Sequence, residues 1–184
     1  MFIDTELEKS FGDFGALIGA WSEEKPDARA LADSSSELTW QQVGQATARI
    51  AAQLQRDGLR RGQAVAILGT SNIPYALVYL AVVRAGGCAA PLTTSATPAQ
   101  LAAMFKDSGA THLFIDATKL ADIQGTPLGD VKIIMLDKPV GNHPALTDWM
   151  AEAGAVFDAQ PPAASDPFNI IYSSGTTGTP KGII

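Results

Sequence analysis

Residues 64–92 read AVAILGTSNIPYALVYLAVVRAGGCAAPL, and their order decides the fold. The apolar run Ala64–Leu68 has turn formers on both sides and is too short for a helix, so it reads as a buried strand. Ser71 stands at the N-cap position of the helix that follows, which is apolar all round over 73–83 and carries no charge before Arg84. Such a helix belongs inside a sizeable body rather than on its surface. Gly86-Gly87 breaks it, and residues 88–92 supply a second short strand. A strand, a helix and another strand joined so tightly form a crossover unit with parallel strands.

The same logic extends outward. Thr97, Pro98 and Gln100 give the N-cap, first helical residue and capping-box partner of a helix ending at Gly109. Strands are expected at 111–115 and 131–136. Upstream, Thr39 and Gln42 form a capping box for a helix with apolar Trp40, Val43, Ala46, Ile50 and Leu54, closed by Gly58. Residues 28–32 and Glu37–Thr39 read as a hairpin around Asp33-Ser34-Ser35-Ser36. Phe14, Leu17, Ile18 and Trp21 mark a helix over 11–24, ended by Pro26. Residues 138–167 are punctuated by Pro139, Pro144, Pro161, Pro162 and Pro167 and read as a connecting segment. It carries one short amphipathic helix near 145–152, with Trp149 and Met150 to bury. Residues 168–172 form a strand leading into the loop 173–182. Nothing repeats internally.

Bulk properties narrow the function. The 184 residues carry a net charge of −6, which disfavours a nucleic-acid groove or an anionic membrane surface. An anionic nucleotide must then be gripped locally, by backbone N–H groups, a lysine and a divalent ion. Cys88 is the only cysteine, so no internal disulfide forms, and its apolar setting reads as a buried, inert thiol. Residues 1–10 lack the basic and apolar regions of a signal peptide, and the longest apolar run, 76–83, is far short of a membrane span. The expectation is a reduced, cytoplasmic protein with no integral membrane segment. His112 and His143 have no ligand spacing around them and read as structural, so no metal site is expected in protein ligands. Glu6, Glu8, Glu23 and Glu24 read as solvated helix faces.

Residues 172–182 read YSSGTTGTPKG, and every residue from Ser173 to Thr179 is Ser, Thr or Gly. Small residues let a backbone approach a ligand closely, and converging N–H groups, hydroxyls and the Lys181 ammonium suit phosphate oxygens. The competing reading is a flexible hairpin rich in small residues. Lys181 follows Pro180 and precedes Gly182, so this is not a Walker A loop, and strand, loop, strand is the expected order. Gly69-Thr70-Ser71-Asn72, after the first parallel strand, is not the G-x-G-x-x-G dinucleotide fingerprint. Neither G-x-S-x-G nor a serine paired with Lys181 as S-x-x-K is present, so covalent serine chemistry is unsupported.

The segment 170–182, IIYSSGTTGTPKG, resembles the signature phosphate loop of the AMP-forming adenylating superfamily: acyl- and aryl-CoA synthetases, firefly-type luciferases and peptide-synthetase adenylation domains. Residues 38–43 (LTWQQV), 58–67 (GLRRGQAVAI), Asn72 and 79–92 (YLAVVRAGGCAAPL) resemble other stretches of that family in the same order. Thr93 and Gln63 depart from its usual Asn and Asp, and both bear on subfamily rather than membership. The resemblance covers residues from about 38 to 184.

That resemblance implies a fold of class α/β, a mostly parallel Rossmann-like sheet with helices on both faces, forming the N-terminal part of the large domain of an adenylate-forming enzyme. It implies activation of a small carboxylic acid by attack on the α-phosphate of ATP, release of pyrophosphate, and transfer of the acyl group from AMP to a thiol. ATP with Mg²⁺ and coenzyme A are the implied co-substrates. Carried over, Ser173, Ser174, Gly175, Thr176, Thr177, Gly178 and Lys181 are the phosphate-contacting candidates. The groups for adenine, ribose and acid, together with the mobile C-terminal domain, are expected after Ile184, so no catalytic residue is assigned within 1–184. The remainder of the same polypeptide is the implied partner, and residues 1–184 alone are expected to be inactive. The wording SSGTTGTPKG is more like a CoA synthetase than a peptide-synthetase adenylation domain. A non-catalytic ATP-binding or interaction module is the alternative from another class.

Overall fold

A strand buried on both faces sends alternate side chains into two separate cores, and that alternation organises this molecule. The computed structural model describes residues 2–9, 12–159, 161–173 and 180–184. The elements run α1 (Phe2–Leu7), α2 (Phe14–Glu24), β1 (Arg29–Ala32), β2 (Glu37–Thr39), α3 (Trp40–Arg56), β3 (Ala64–Leu68) and α4 (Ile73–Arg84). There follow β4 (Cys88–Pro91), α5 (Pro98–Ser108), β5 (His112–Ile115), a 3-10 helix (Ala117–Ile123), β6 (Lys132–Met135), α6 (Leu146–Trp149), β7 (Ile171–Ser173) and β8 (Lys181–Ile183).

The central sheet is parallel, in the order β4-β3-β5-β6. Val65, Ile67, Ala89, Phe114 and Ile134 join side chains of α2, α3 and α4 in one core. Ala66, Leu68, Cys88, Ala90, Leu113, Ile115 and Met135 join α5 and Ile123 of the 3-10 helix in the other. Every residue of β3 is buried, as a central strand between two helix layers requires. The expected parallel sheet with helices on both faces is present. Cys88 is buried, and burial raises its thiol pKa, which keeps it protonated.

Local signals place the helix ends. Thr39 with Gln42, and Thr97 with Gln100, both form reciprocal capping boxes, and Gly109 closes α5 in a left-handed conformation. No residue of α4 is exposed, in keeping with its uniform apolarity.

Several expectations are corrected. The cap of α4 is Asn72 rather than Ser71: its side chain accepts the Tyr75 N–H at 3.1 Å. Asp33, in the β1–β2 turn, supplies the next partner by accepting the Ile73 N–H at 3.1 Å. Residues 2–7 form a helix, although the sequence around them reads only as acidic. Glu6 is therefore not on a solvated face. It lies buried, 4% exposed, paired with Lys9, while the neighbouring Ile3 N–H donates to Glu24 at 3.1 Å. Residues 117–123 form a 3-10 helix that no periodicity signalled, and the helix expected over 145–152 is the single turn α6. The strand expected at 168–172 divides. Its first part runs parallel along the outer edge of β4, with Ala89 N–H donating to Phe168 O at 3.2 Å and Ile170 N–H donating to Ala89 O at 2.8 Å. The chain then leaves the sheet to form β7.

The connecting segment 138–167 is strapped to α3 and the turn after it. Arg49 Nε donates to Ala151 O at 2.6 Å, and Arg56 makes a two-pronged pair with Glu152 at 2.7 and 2.8 Å. Gln55 exchanges two hydrogen bonds with the backbone of Asp158, and Arg61 pairs with Asp166. Glu152, facing the Arg56 guanidinium, has its carboxyl pKa lowered to about 2.

Candidate functional site

Ligands of open parallel sheets sit beyond the carboxyl ends of the strands, so the turns there are the places to look. The first of them, after β3, is already filled. Thr70 N–H donates to Asp116 Oδ2 at 2.6 Å, and a Cβ on Gly69 would lie 2.9 Å from the Asp116 carboxyl carbon. Asp137, beyond β6, accepts the Ala117 N–H at 3.1 Å. With Asp33 and Asn72 taking the first N–H groups of α4, the donors that would greet a phosphate at this turn are bound to the protein's own side chains. The Thr70, Ile73 and Tyr75 N–H groups are thus already taken, in keeping with the turn's lack of a dinucleotide fingerprint.

The Ser/Thr/Gly loop leaves the same side of the sheet, two residues beyond the stretch paired with β4. Its flanks, β7 and β8, pair antiparallel in the register Ile171↔Ile183, Tyr172↔Gly182 and Ser173↔Lys181. Both strands expected on either side of the Ser/Thr/Gly run are therefore present, and they pair with each other. Side chains alternate across this ladder. Ser173 and Lys181 form the rung nearest the loop, and both are exposed with Ile171 and Ile183 on one face. Ser174, Gly175, Thr176, Thr177 and Gly178, together with Thr179, lie outside the described residues. Of the seven phosphate-contacting candidates, Ser173 and Lys181 are thus brought together, directly across from one another.

The opposite face of the ladder rests on α5. Tyr172 Oη lies 2.8 Å from Met104 O and 3.0 Å from Asp107 Oδ2, and burial together with the Asp107 hydrogen bond pushes its phenol far above the ordinary tyrosine value. At Gly182 a Cβ would meet Asp107 Oδ2 and Ile170 Cγ2 at 2.9 Å each. Asp107 escaped the sequence reading because nothing in a helix's last turn announces a contact made 65 residues later. Tyr172 carried a faint signal, as the one aromatic residue abutting the small-residue run.

The histidines stay away from this site. His112 is buried with Nδ1 2.8 Å from Thr111 Oγ1 and Nε2 3.4 Å from Asp57 Oδ2. Asp57 also accepts from Lys132, Trp149 and Gln53. Burial lowers the His112 pKa despite the pull of Asp57 in the other direction. Among the described residues no cluster of three or more His, Cys, Asp or Glu is placed to hold a metal, and no helix is long and apolar enough to cross a membrane.

Comparison with known proteins follows the same lines. The sequence model of the AMP-binding enzyme family matches residues 19–184. The nonribosomal peptide synthetase-like enzyme fsqF of Aspergillus fumigatus is 30% identical over 159 residues, covering 86% of this chain and 10% of that protein. Polyketide synthase PksN of Bacillus subtilis (strain 168) is 29% identical over 163 residues, covering 89% and 3%. Among solved structures, the putative long-chain-fatty-acid CoA ligase of Rhodopseudomonas palustris CGA009 aligns with a TM-score of 0.84 at 22% identity, over 92% of this chain and 43% of that one. The anthranilate CoA ligase AuaEII, solved in complex with anthranoyl-AMP, gives 0.82 at 24% identity, over 90% and 33%. At these identities the structural matches establish a shared fold. The chain spans less than half the length of each of these proteins.

Proposed function

This chain belongs to the AMP-binding enzyme family, and on that premise we propose that it is the N-terminal part of the large domain of a cytoplasmic, ATP-dependent, AMP-forming ligase. The observation that carries the reading is the Ser173–Lys181 rung at the mouth of a Ser/Thr/Gly loop, at the carboxyl side of a parallel sheet. A hydroxyl and an ammonium held across one ladder rung, beside a run of small residues rich in hydroxyl and N–H donors, make a set suited to phosphate oxygens.

In this reading Ser173, Ser174, Gly175, Thr176, Thr177, Gly178 and Lys181 bind the β- and γ-phosphates of ATP. Mg²⁺ arrives as the nucleotide's counterion and neutralises phosphate charge. The acid's carboxylate oxygen forms a bond to the α-phosphorus, the bond to the bridging oxygen breaks, and pyrophosphate leaves with the electron pair. Lys181 and the loop donors stabilise the negative charge that accumulates on the departing group. The net charge of −6 over these 184 residues offers a polyanion no general attraction, so the grip falls to this local arrangement of donors.

The acyl group then passes to a thiol, which we assign to coenzyme A. One observation favours a second acceptor: a sequence relative at 30% identity is a nonribosomal peptide synthetase-like enzyme, so a carrier-protein thiol is the alternative. Acid-dependent exchange of pyrophosphate into ATP by the enzyme containing these residues tests the first half-reaction, and no exchange with any short, aromatic or long-chain acid would overturn it. Thioester formation compared between free coenzyme A and a carrier protein decides the acceptor.

A further inference from the structure

We propose that Tyr172, Asp107 and Gly182 form a latch that sets both flanks of the Ser/Thr/Gly loop at the spacing its grip on ATP requires. Tyr172 and Asp107 are then positioning residues, and the inference rests on the adenylating reading above.

The latch occupies the face of the β7–β8 ladder turned away from the Ser173–Lys181 rung. On the entry strand, the Tyr172 hydroxyl has one proton and two acceptors, Met104 O at 2.8 Å and Asp107 Oδ2 at 3.0 Å, both in the closing turns of α5. On the exit strand, Gly182 pairs with Tyr172 and presents no side chain. A Cβ there would lie 2.9 Å from Asp107 Oδ2 and 3.2 Å from Tyr172 Cε1. One carboxylate oxygen therefore accepts from the strand that enters the loop and lies over the strand that leaves it. Helical preference does not account for the carboxylate, since the last turn of a helix favours cations. Its position makes sense as a fixed stop for the two strands.

The consequence is geometric. Tyr172–Gly182 and Ser173–Lys181 are consecutive rungs, so a shift of the first displaces the second. Misplacement of phosphate donors by about 1 Å is enough to cost catalysis heavily. A tether serving stability alone would affect every substrate equally, whereas a latch acts on ATP.

The test uses Tyr172→Phe, Asp107→Ala, Asp107→Asn and Gly182→Ala in the complete enzyme. Tyr172→Phe keeps the ring and loses only the donor. Asp107→Asn keeps an acceptor oxygen and should stay near wild type where Asp107→Ala does not. Tyr172→Phe and Asp107→Ala, which remove a hydrogen-bonding partner, and Gly182→Ala, which pushes a methyl against Asp107, should each raise the KM for ATP about three- to tenfold, with the KM for the acid unchanged. Hydrogen exchange at the amides of 171–173 and 181–183, read without substrate, should quicken by a similar factor. Unchanged exchange in Tyr172→Phe overturns the latch. So does faster exchange with an unchanged KM for ATP, or with both KM values rising together. Because exchange is read apart from turnover, a wild-type enzyme with no acid-dependent pyrophosphate exchange would sink the adenylating reading on its own. In that event the assignment of the latch to ATP goes with it, while the strand contact is still measured.

Discussion

Lys181 places a positive charge one rung from the loop in a molecule of net charge −6, and it faces Ser173 rather than the protein interior. Its contribution belongs to the half-reaction in which phosphate charge develops. Lys181→Ala in the complete enzyme should slow adenylate formation by about a hundredfold or more, the scale of losing one oxyanion-type donor. Thioester formation from preformed adenylate should change little, and equal losses in the two half-reactions would count against the assignment. His112 makes a different prediction, about stability. Burial holds its folded-state pKa below the usual 6.5, so the unfolded chain takes up a proton first as pH falls. The stability His112 contributes as a neutral ring is complete above that value and declines below it, by at most about 1.4 kcal/mol per pH unit. Denaturant titrations of wild type and His112→Leu between pH 7 and 5 should show a steeper loss in the wild type.

At the scale of elements, the packing of α2 against α3 turns on one glycine. A Cβ on Gly44 would sit 2.4 Å from Ser22 Oγ and 2.8 Å from Ser22 Cβ. Alanine is worth about 1 kcal/mol over glycine inside a helix, but overpacking costs about 1–3 kcal/mol. The clash should win: Gly44→Ala is expected to lower the urea midpoint with an unchanged m value, and Ser22→Gly in the same background should recover part of the loss. These local facts also show what was legible in the sequence. Both capping boxes join residues three apart, so Thr39–Gln42 and Thr97–Gln100 could be read directly. The Asp33–Ile73, Tyr172–Asp107 and Arg56–Glu152 contacts join residues 40, 65 and 96 apart, and only the folded topology brings them together. The candidate site was legible as a composition of donors. The contacts that hold its flanks against α5 were not.

For the whole molecule, the matched structures extend well beyond this chain's length, and the resemblance puts the groups for adenine, ribose and acid after Ile184. Residues 1–184 expressed alone should therefore give no acid-dependent pyrophosphate exchange, and measurable exchange would refute that expectation. Synthesis of the chain gives the edge of β4 a further meaning. β4 is complete at Pro91, yet its outer partner arrives only with residues 168–170, so that edge emerges from the ribosome unpaired. At ordinary translation speeds the wait is roughly 4–15 s, long beside the formation of a sheet edge contact with a stray neighbour. Pro91 helps to cover this interval. Lacking an N–H, it cannot donate to an intruding strand, and it closes β4 after four residues. The strand that later delivers the loop is thus also the one that retires this open edge of the nascent chain, and a ribosome stalled before residue 168 would expose it.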